Sequence, residues 1–124
     1  MFNPKHGTVE IKAEVTGPNG TTTLSLALDT GATMTVIKAR TLQYLGFDLN
    51  QPIRRTRLTT GSAVGVVPIF ALTRLSALGQ HRFVFPVIGD PLATVAGFDG
   101  LLGLDFLRDQ VLTLDFRQGQ ITLA

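Results

Sequence analysis

One segment of the chain has residue types in an order that suits acid–base chemistry: Leu26-Ala27-Leu28-Asp29-Thr30-Gly31-Ala32-Thr33. An apolar strand runs straight into a carboxylate and then into Thr-Gly-Ala. A carboxylate at the end of a buried strand must be hydrogen-bonded or paired, because an isolated buried charge is costly. Thr30 supplies a hydroxyl. Gly31 lets the backbone approach closely, so that loop amides can point at the carboxylate. Such a loop can hold a carboxylate for general acid–base work. The plainer use of the same residues is structural, with Asp29 ending a strand and bonding its own turn.

Other reactive side chains are scattered. His6 and His81 stand apart, with no H-E-x-x-H and no third ligand nearby, so no metal is expected. Ser62 lies in T-G-S-A-V-G, which is not the G-x-S-x-G of a serine hydrolase. Gly97, Gly100 and Gly103 are spaced by three, which matches neither phosphate-binding pattern. Asp105 and Asp109 flank an apolar segment, and Asp105 is expected on a helix face, bonding nearby backbone. Arg54, Arg55 and Arg57 form the one dense basic cluster. They read as a solvated elbow, or, more sharply, as a preference for acidic substrate residues or a weak anion-binding site. The chain has no cysteine, which excludes disulfides, thiolate metal sites, thiol nucleophiles and iron–sulfur clusters.

The elements that must position these groups are mostly short strands. Residues 8–15 alternate Val9, Ile11, Ala13 and Val15 with Glu10, Lys12 and Glu14, the period of a half-exposed strand. Gly17-Pro18-Asn19-Gly20 is a turn, and residues 21–28 resume the alternation with Leu24, Leu26 and Leu28. Together they predict a hairpin. Residues 38–46 form the best helix candidate, with Leu42 and Leu45 on one face and Gly46 at the stop. Residues 58–75 are β-like and interrupted by Gly61 and Gly65. Residues 80–88 form another strand, in which Pro86 signals an edge or a strand end. Residues 101–107 read as a buried strand entering a short helix. Residues 111–116 and 120–123 are strands around a turn at Arg117-Gln118-Gly119.

The expected total is seven or eight strands with one or two short helices. The order strand, loop, strand, helix at residues 26–46 recurs at 83–109, which suggests two related halves. At 124 residues, with 44% hydrophobic and 16% charged side chains, the chain fits one mainly β globular domain, residues 1–124. Its net charge of +2 is too small to argue for nucleic acid. Its nine aromatics are mostly Phe in core-like strands rather than stacking platforms. No apolar run is long enough for a membrane helix. Residues 1–7 lack the apolar stretch of a signal peptide, which tilts the expectation towards the cytoplasm without fixing a compartment.

L-A-L-D-T-G-A-T-M-T-V-I resembles the active-site segment of aspartic proteases, and G-L-L-G-L-D-F-L, at 100–107, resembles that family's second signature. The two occur in the order found in the single-domain, retropepsin-like branch, and residues 58–67 fall where that branch has its flap. The resemblance covers essentially the whole chain. It implies a closed-barrel-like acid-protease fold with one or two short helices and a flap hairpin. It implies an endopeptidase with Asp29 catalytic, Thr30 and Gly31 supporting the site, and Ala32, Thr60, Gly61 and Ser62 binding an extended peptide. A flap over 59–66 would owe its movement to its glycines. The family uses two carboxylates, and the chain has a single D-[ST]-G. Phe98-Asp99-Gly100 lacks the hydroxyl residue and is not a second copy. A homodimer with one Asp29 from each copy is therefore implied, with no cofactor and no metal. A non-catalytic peptide-binding or dimerisation module of the same fold is the alternative.

Overall fold

A computed structural model describes residues 1–60, 63–90 and 97–124, with side chains for all of these except Thr60 and Ala63. Nine strands and two short helices follow one another in these residues: β1 (Glu10–Gly17), β2 (Gly20–Leu28), β3 (Val36–Lys38), α1 (Ala39–Tyr44), β4 (Arg54–Thr60), β5 (Ala63–Ala77), β6 (Gln80–Asp90), β7 (Gly100–Leu102), α2 (Leu104–Leu107), β8 (Leu112–Asp115) and β9 (Gln120–Leu123). The period-two segments form the first hairpin, with Ile11 opposite Leu26 and Ala13 opposite Leu24. The expected inward faces are covered: Ile11, Ala13, Val15, Leu24 and Leu26 are all buried.

The main sheet runs β1-β2-β7-β3-β6-β5, and a further β1–β5 pairing closes it into a six-stranded barrel. β5 is long enough to serve twice. Its first half pairs with β4, from Thr60 opposite Ala63 to Arg54 opposite Ile69, and its last residues pair with β1, Ala13 opposite Ala77. β4 and the first half of β5 therefore form a hairpin attached to the barrel at one end. β8 and β9 make a separate two-stranded sheet.

The two halves anticipated from the sequence order interlock. β2 runs parallel to β7, β3 runs parallel to β6, and β7 lies antiparallel to β3 between them. This close threading explains Gly100. A Cβ there would stand 1.9 Å from the carbonyl oxygen of Val36. Gly100→Ala should therefore lower stability by about 3 kcal/mol or more, because the obstruction is backbone and cannot rotate away. A urea midpoint unchanged from wild type would contradict that packing.

Phe70, Phe106, Leu26, Ile37, Leu42, Leu72 and Leu102 fill the barrel. Phe106 meets Phe85 edge-on at 6.0 Å. Arg82 stacks on the outer face of the same ring at 4.6 Å and donates to the Phe106 carbonyl at 2.9 Å. Each such buried side chain contributes on the order of 2 kcal/mol. Among the described residues no helix is long and apolar enough to cross a membrane.

Two sequence expectations, the arginine elbow and the helix length, need correction. Arg54, Arg55 and Arg57 are not an elbow; they lie within β4, and the strand count rises to nine. The β-like stretch over 58–75, with its expected flap hairpin, is two paired strands, with Thr60 opposite Ala63. Pro86 lies inside β6 opposite Ala71 at a local edge, as expected of it, because β3 joins the other side only from Ile88 onward. The helix is shorter than expected, ending at Tyr44, yet it buries Leu42 and Leu45 as the pattern requires.

Candidate active site

β2 delivers Asp29 to the end of a strand buried on both sides. Its register with β7 pairs Leu26, Ala27 and Leu28 with Gly100, Leu101 and Leu102. The Asp29 amide extends that ladder by donating to the Leu102 carbonyl at 3.0 Å. Beyond it the chain turns tightly. The Gly31 amide donates to Asp29 Oδ1 at 2.9 Å, and the Ala32 amide donates to the Asp29 carbonyl at 3.1 Å. The side chain thus orders its own turn, as the structural reading foresaw. The same bond points the carboxylate and leaves it half-buried, while Thr30 and Gly31 are exposed and Ala32 is half-buried.

The far end of this loop is fastened by residues distant in sequence. Asp105, on α2, accepts the Thr35 amide at 3.0 Å and the Thr35 hydroxyl at 2.8 Å. The Thr35 hydroxyl in turn accepts the Gly103 amide at 3.1 Å. The Leu104 amide donates to the Ala32 carbonyl at 2.8 Å. Thr35 has no exposed surface and is the one fully buried polar residue among those described. Asp105 was expected to bond nearby backbone; it does bond backbone, but 70 residues away. The glycine of the L-L-G signature has a matching cause. A Cβ on Gly103 would lie 2.7 Å from the Met34 carbonyl carbon and 2.8 Å from the Ala32 oxygen.

This clamp yields a stability prediction. Thr35→Val keeps the shape but leaves the buried Gly103 amide without its acceptor and removes one donor to Asp105. The expected loss is about 1–3 kcal/mol by urea unfolding. Thr35→Ser keeps the hydroxyl and should lose clearly less. Equal losses for both would assign the effect to the methyl group instead.

Asp99, set aside as a second acid on sequence grounds, serves the scaffold. Its Oδ2 accepts the Ser25 amide at 2.8 Å, its own amide donates to the Ser25 carbonyl, and its carbonyl accepts the Lys38 amide. Glu10 is held below the usual carboxylate range, chiefly by the Ser25 hydroxyl and further by the Lys12 ammonium, but it is exposed on the barrel's outer surface. His81 Nδ1 meets the Ser76 hydroxyl at 2.7 Å on the same surface, and His6 lies near the Thr8 carbonyl. Among the described residues no three His, Cys, Asp or Glu side chains gather as a metal site.

Of the residues expected to touch a peptide, Ala32 is beside Asp29. Thr60 ends β4, with its side chain outside the described set. Gly61 and Ser62 lie outside the described residues altogether. Gly65 is in extended backbone opposite Leu58, with open space where a Cβ would be, so no turn requires a glycine at that position. Two surface clefts, of about 240 and 270 Å³, lie elsewhere. One is lined by Lys12, Glu14, Ser76 and His81, the other by Asn19, Thr21, Tyr44 and Leu45. Neither includes the Asp29 loop.

Residues 15–109 match the family described as "gag-polyprotein putative aspartyl protease". We found no curated protein whose sequence matches the chain. Solved structures share its fold. A retropepsin-like aspartic protease from Rickettsia conorii superposes with a TM-score of 0.66 at 20% identity, covering 94% of this chain and 81% of its own. The retroviral protease-like domain of Ddi1 from Leishmania major gives 0.61 at 18% identity, covering 96% and 90%. The EIAV protease, solved with an inhibitor, gives 0.57 at 20% identity, covering 88% and 92%.

Proposed function

The chain belongs to the gag-polyprotein aspartyl protease family, and from that premise we propose that it is an aspartic endopeptidase active as a homodimer. The observation that carries the reading is the fastened Asp29 loop. A half-buried carboxylate is aimed by the Gly31 amide and held at both ends by the β7–α2 segment. One copy supplies one such carboxylate. A second copy related by a two-fold axis would supply the other and complete a cleft.

Two facing carboxylates cannot both ionise easily, so they share a proton. The ionised one removes a proton from water as the water attacks the peptide carbonyl. The protonated one hydrogen-bonds the carbonyl oxygen and later helps protonate the leaving nitrogen. Thr30, exposed beside Asp29, would brace the pair across the axis, and the Gly31 and Ala32 backbone would meet the substrate. The β4–β5 hairpin, anchored at one end, would cover an extended peptide, and Thr60, Gly61 and Ser62 are the residues of this segment proposed to bind it.

Mixing tests the shared site. Wild-type protein is incubated with a growing excess of Asp29→Asn until subunits exchange, and peptide cleavage is then followed. Activity should fall with the fraction of wild type in the mixture, because a mixed dimer holds one carboxylate. Activity independent of added mutant, under conditions where exchange is demonstrated, would exclude a site built from two copies.

A further inference from the structure

The β4–β5 hairpin has two faces of different character. Residues directly opposite in an antiparallel pair share a face. Thr56, Leu58 and Val67 are half-buried, and their face continues into Ile69, which has no exposed surface. On the other face Arg55 stands opposite Pro68, Arg57 opposite Val66, and Thr59 opposite Val64. Arg55, Arg57 and Thr59 are exposed, and Val64 and Val66 are 63% and 65% exposed. No carboxylate among the described residues pairs with either arginine.

The charge of the whole chain is concentrated here. Residues 54–69 hold three arginines and no acid, while the rest of the chain has eight basic and nine acidic residues. The entire positive excess thus sits on this hairpin. Charged side chains on an edge strand guard against aggregation. That role accounts for the arginines, but not for two valines left bare beside them on β5.

We propose that this exposed face is a docking surface for an extended protein segment in which acidic and apolar residues are interspersed. Arg55 and Arg57 are two residues apart on one strand, so their spacing is that of side chains i and i+2 on any extended segment. Carboxylates at such positions reach both guanidinium forks in register, each able to accept two bonds. Apolar side chains of the same segment cover Val64 and Val66. As a statement about substrates this rests on the protease reading; as a statement about binding it does not.

The test uses the full chain carrying Asp29→Asn, which cannot consume its ligand. A labelled twelve-residue peptide alternating Glu with Leu and Val is titrated by fluorescence anisotropy. Binding should weaken at least about tenfold in Arg55→Gln/Arg57→Gln, and also on raising salt from about 0.05 to 0.5 M. It should weaken several-fold in Val64→Ser/Val66→Ser. In the active protein, the arginine variant should raise KM for a substrate with this peptide as a flank about tenfold, with kcat unchanged. Undiminished binding by the arginine variant would overturn the proposal. So would undiminished binding by the valine variant, which would leave a bare charge patch. A twelve-nucleotide single-stranded DNA bound more tightly than the peptide would overturn it in favour of a nucleic-acid surface. Peptide binding without any cleavage by wild type would sink the protease reading and leave the docking surface standing.

Discussion

Asp29→Asn should reduce peptide cleavage by about 10⁴-fold while leaving the fold intact. Both parts follow from the same bond. The Gly31 amide donates to Asp29 Oδ1 at 2.9 Å. An asparagine side-chain oxygen in that place accepts the same bond, so the turn, the β7 ladder and the Thr35–Asp105 clamp all survive. What disappears is an ionisable oxygen that can take a proton from water and return it. Cleavage of a denatured protein mixture and urea unfolding of the same sample are the paired measurements. Activity within tenfold of wild type would remove Asp29 from the chemistry. Loss of activity together with loss of the folded state would mean that the negative charge holds the loop.

The same substitution should make the dimer tighter at pH 7. Two carboxylates brought to about 4 Å repel by about 1–4 kcal/mol across the range from watery to surface-like dielectric. Removing the charge should lower the dissociation constant roughly tenfold to several-hundred-fold. The dependence on pH follows from proton counting. The proposed wild-type dimer would keep a shared proton that separated chains release, so acid would favour its association and a rise in pH would oppose it. An asparagine neither binds nor releases that proton. The gap between the two proteins should therefore be widest at neutral pH and close as the solution approaches the ordinary aspartate range near about 4. Sedimentation equilibrium at both pH values measures it. Equal dissociation constants at pH 7 would place the two carboxylates too far apart to share a proton.

Sequence was a good guide wherever a strand has a buried face and an exposed one. Ile11, Ala13 and Val15 announce β1 because period two is written in their neighbours' charges. The L-L-G-L-D-F-L segment announces a buried strand entering a helix for the same reason, since β7 and α2 contribute Leu102, Phe106 and Leu107 to the core. The first residues of β4, Arg54 to Arg57, were missed because little of the strand is buried. Its exposed arginines and half-covered Leu58 show no clean alternation, and its partner β5 begins with small residues and a glycine. Asp29 could be picked out because its partners, Gly31 and Ala32, are adjacent in sequence. The role of Asp105 could not, since its partner is 70 residues away. A polar residue inside an apolar run was the available signal, and it pointed to a buried acceptor without naming the donor.

The placement of β7 between β2 and β3 sets an order of events during synthesis. Asp29 is synthesised well before the groups that fasten its loop, which all lie between Gly100 and Asp105. The Leu102 carbonyl, the Gly103 amide and the Asp105 carboxylate do not exist until that later segment has been made. Contacts of such long separation form late. A nascent chain therefore carries the Asp29 carboxylate through that interval without the bonds that orient it, and its loop takes shape only when the later segment docks.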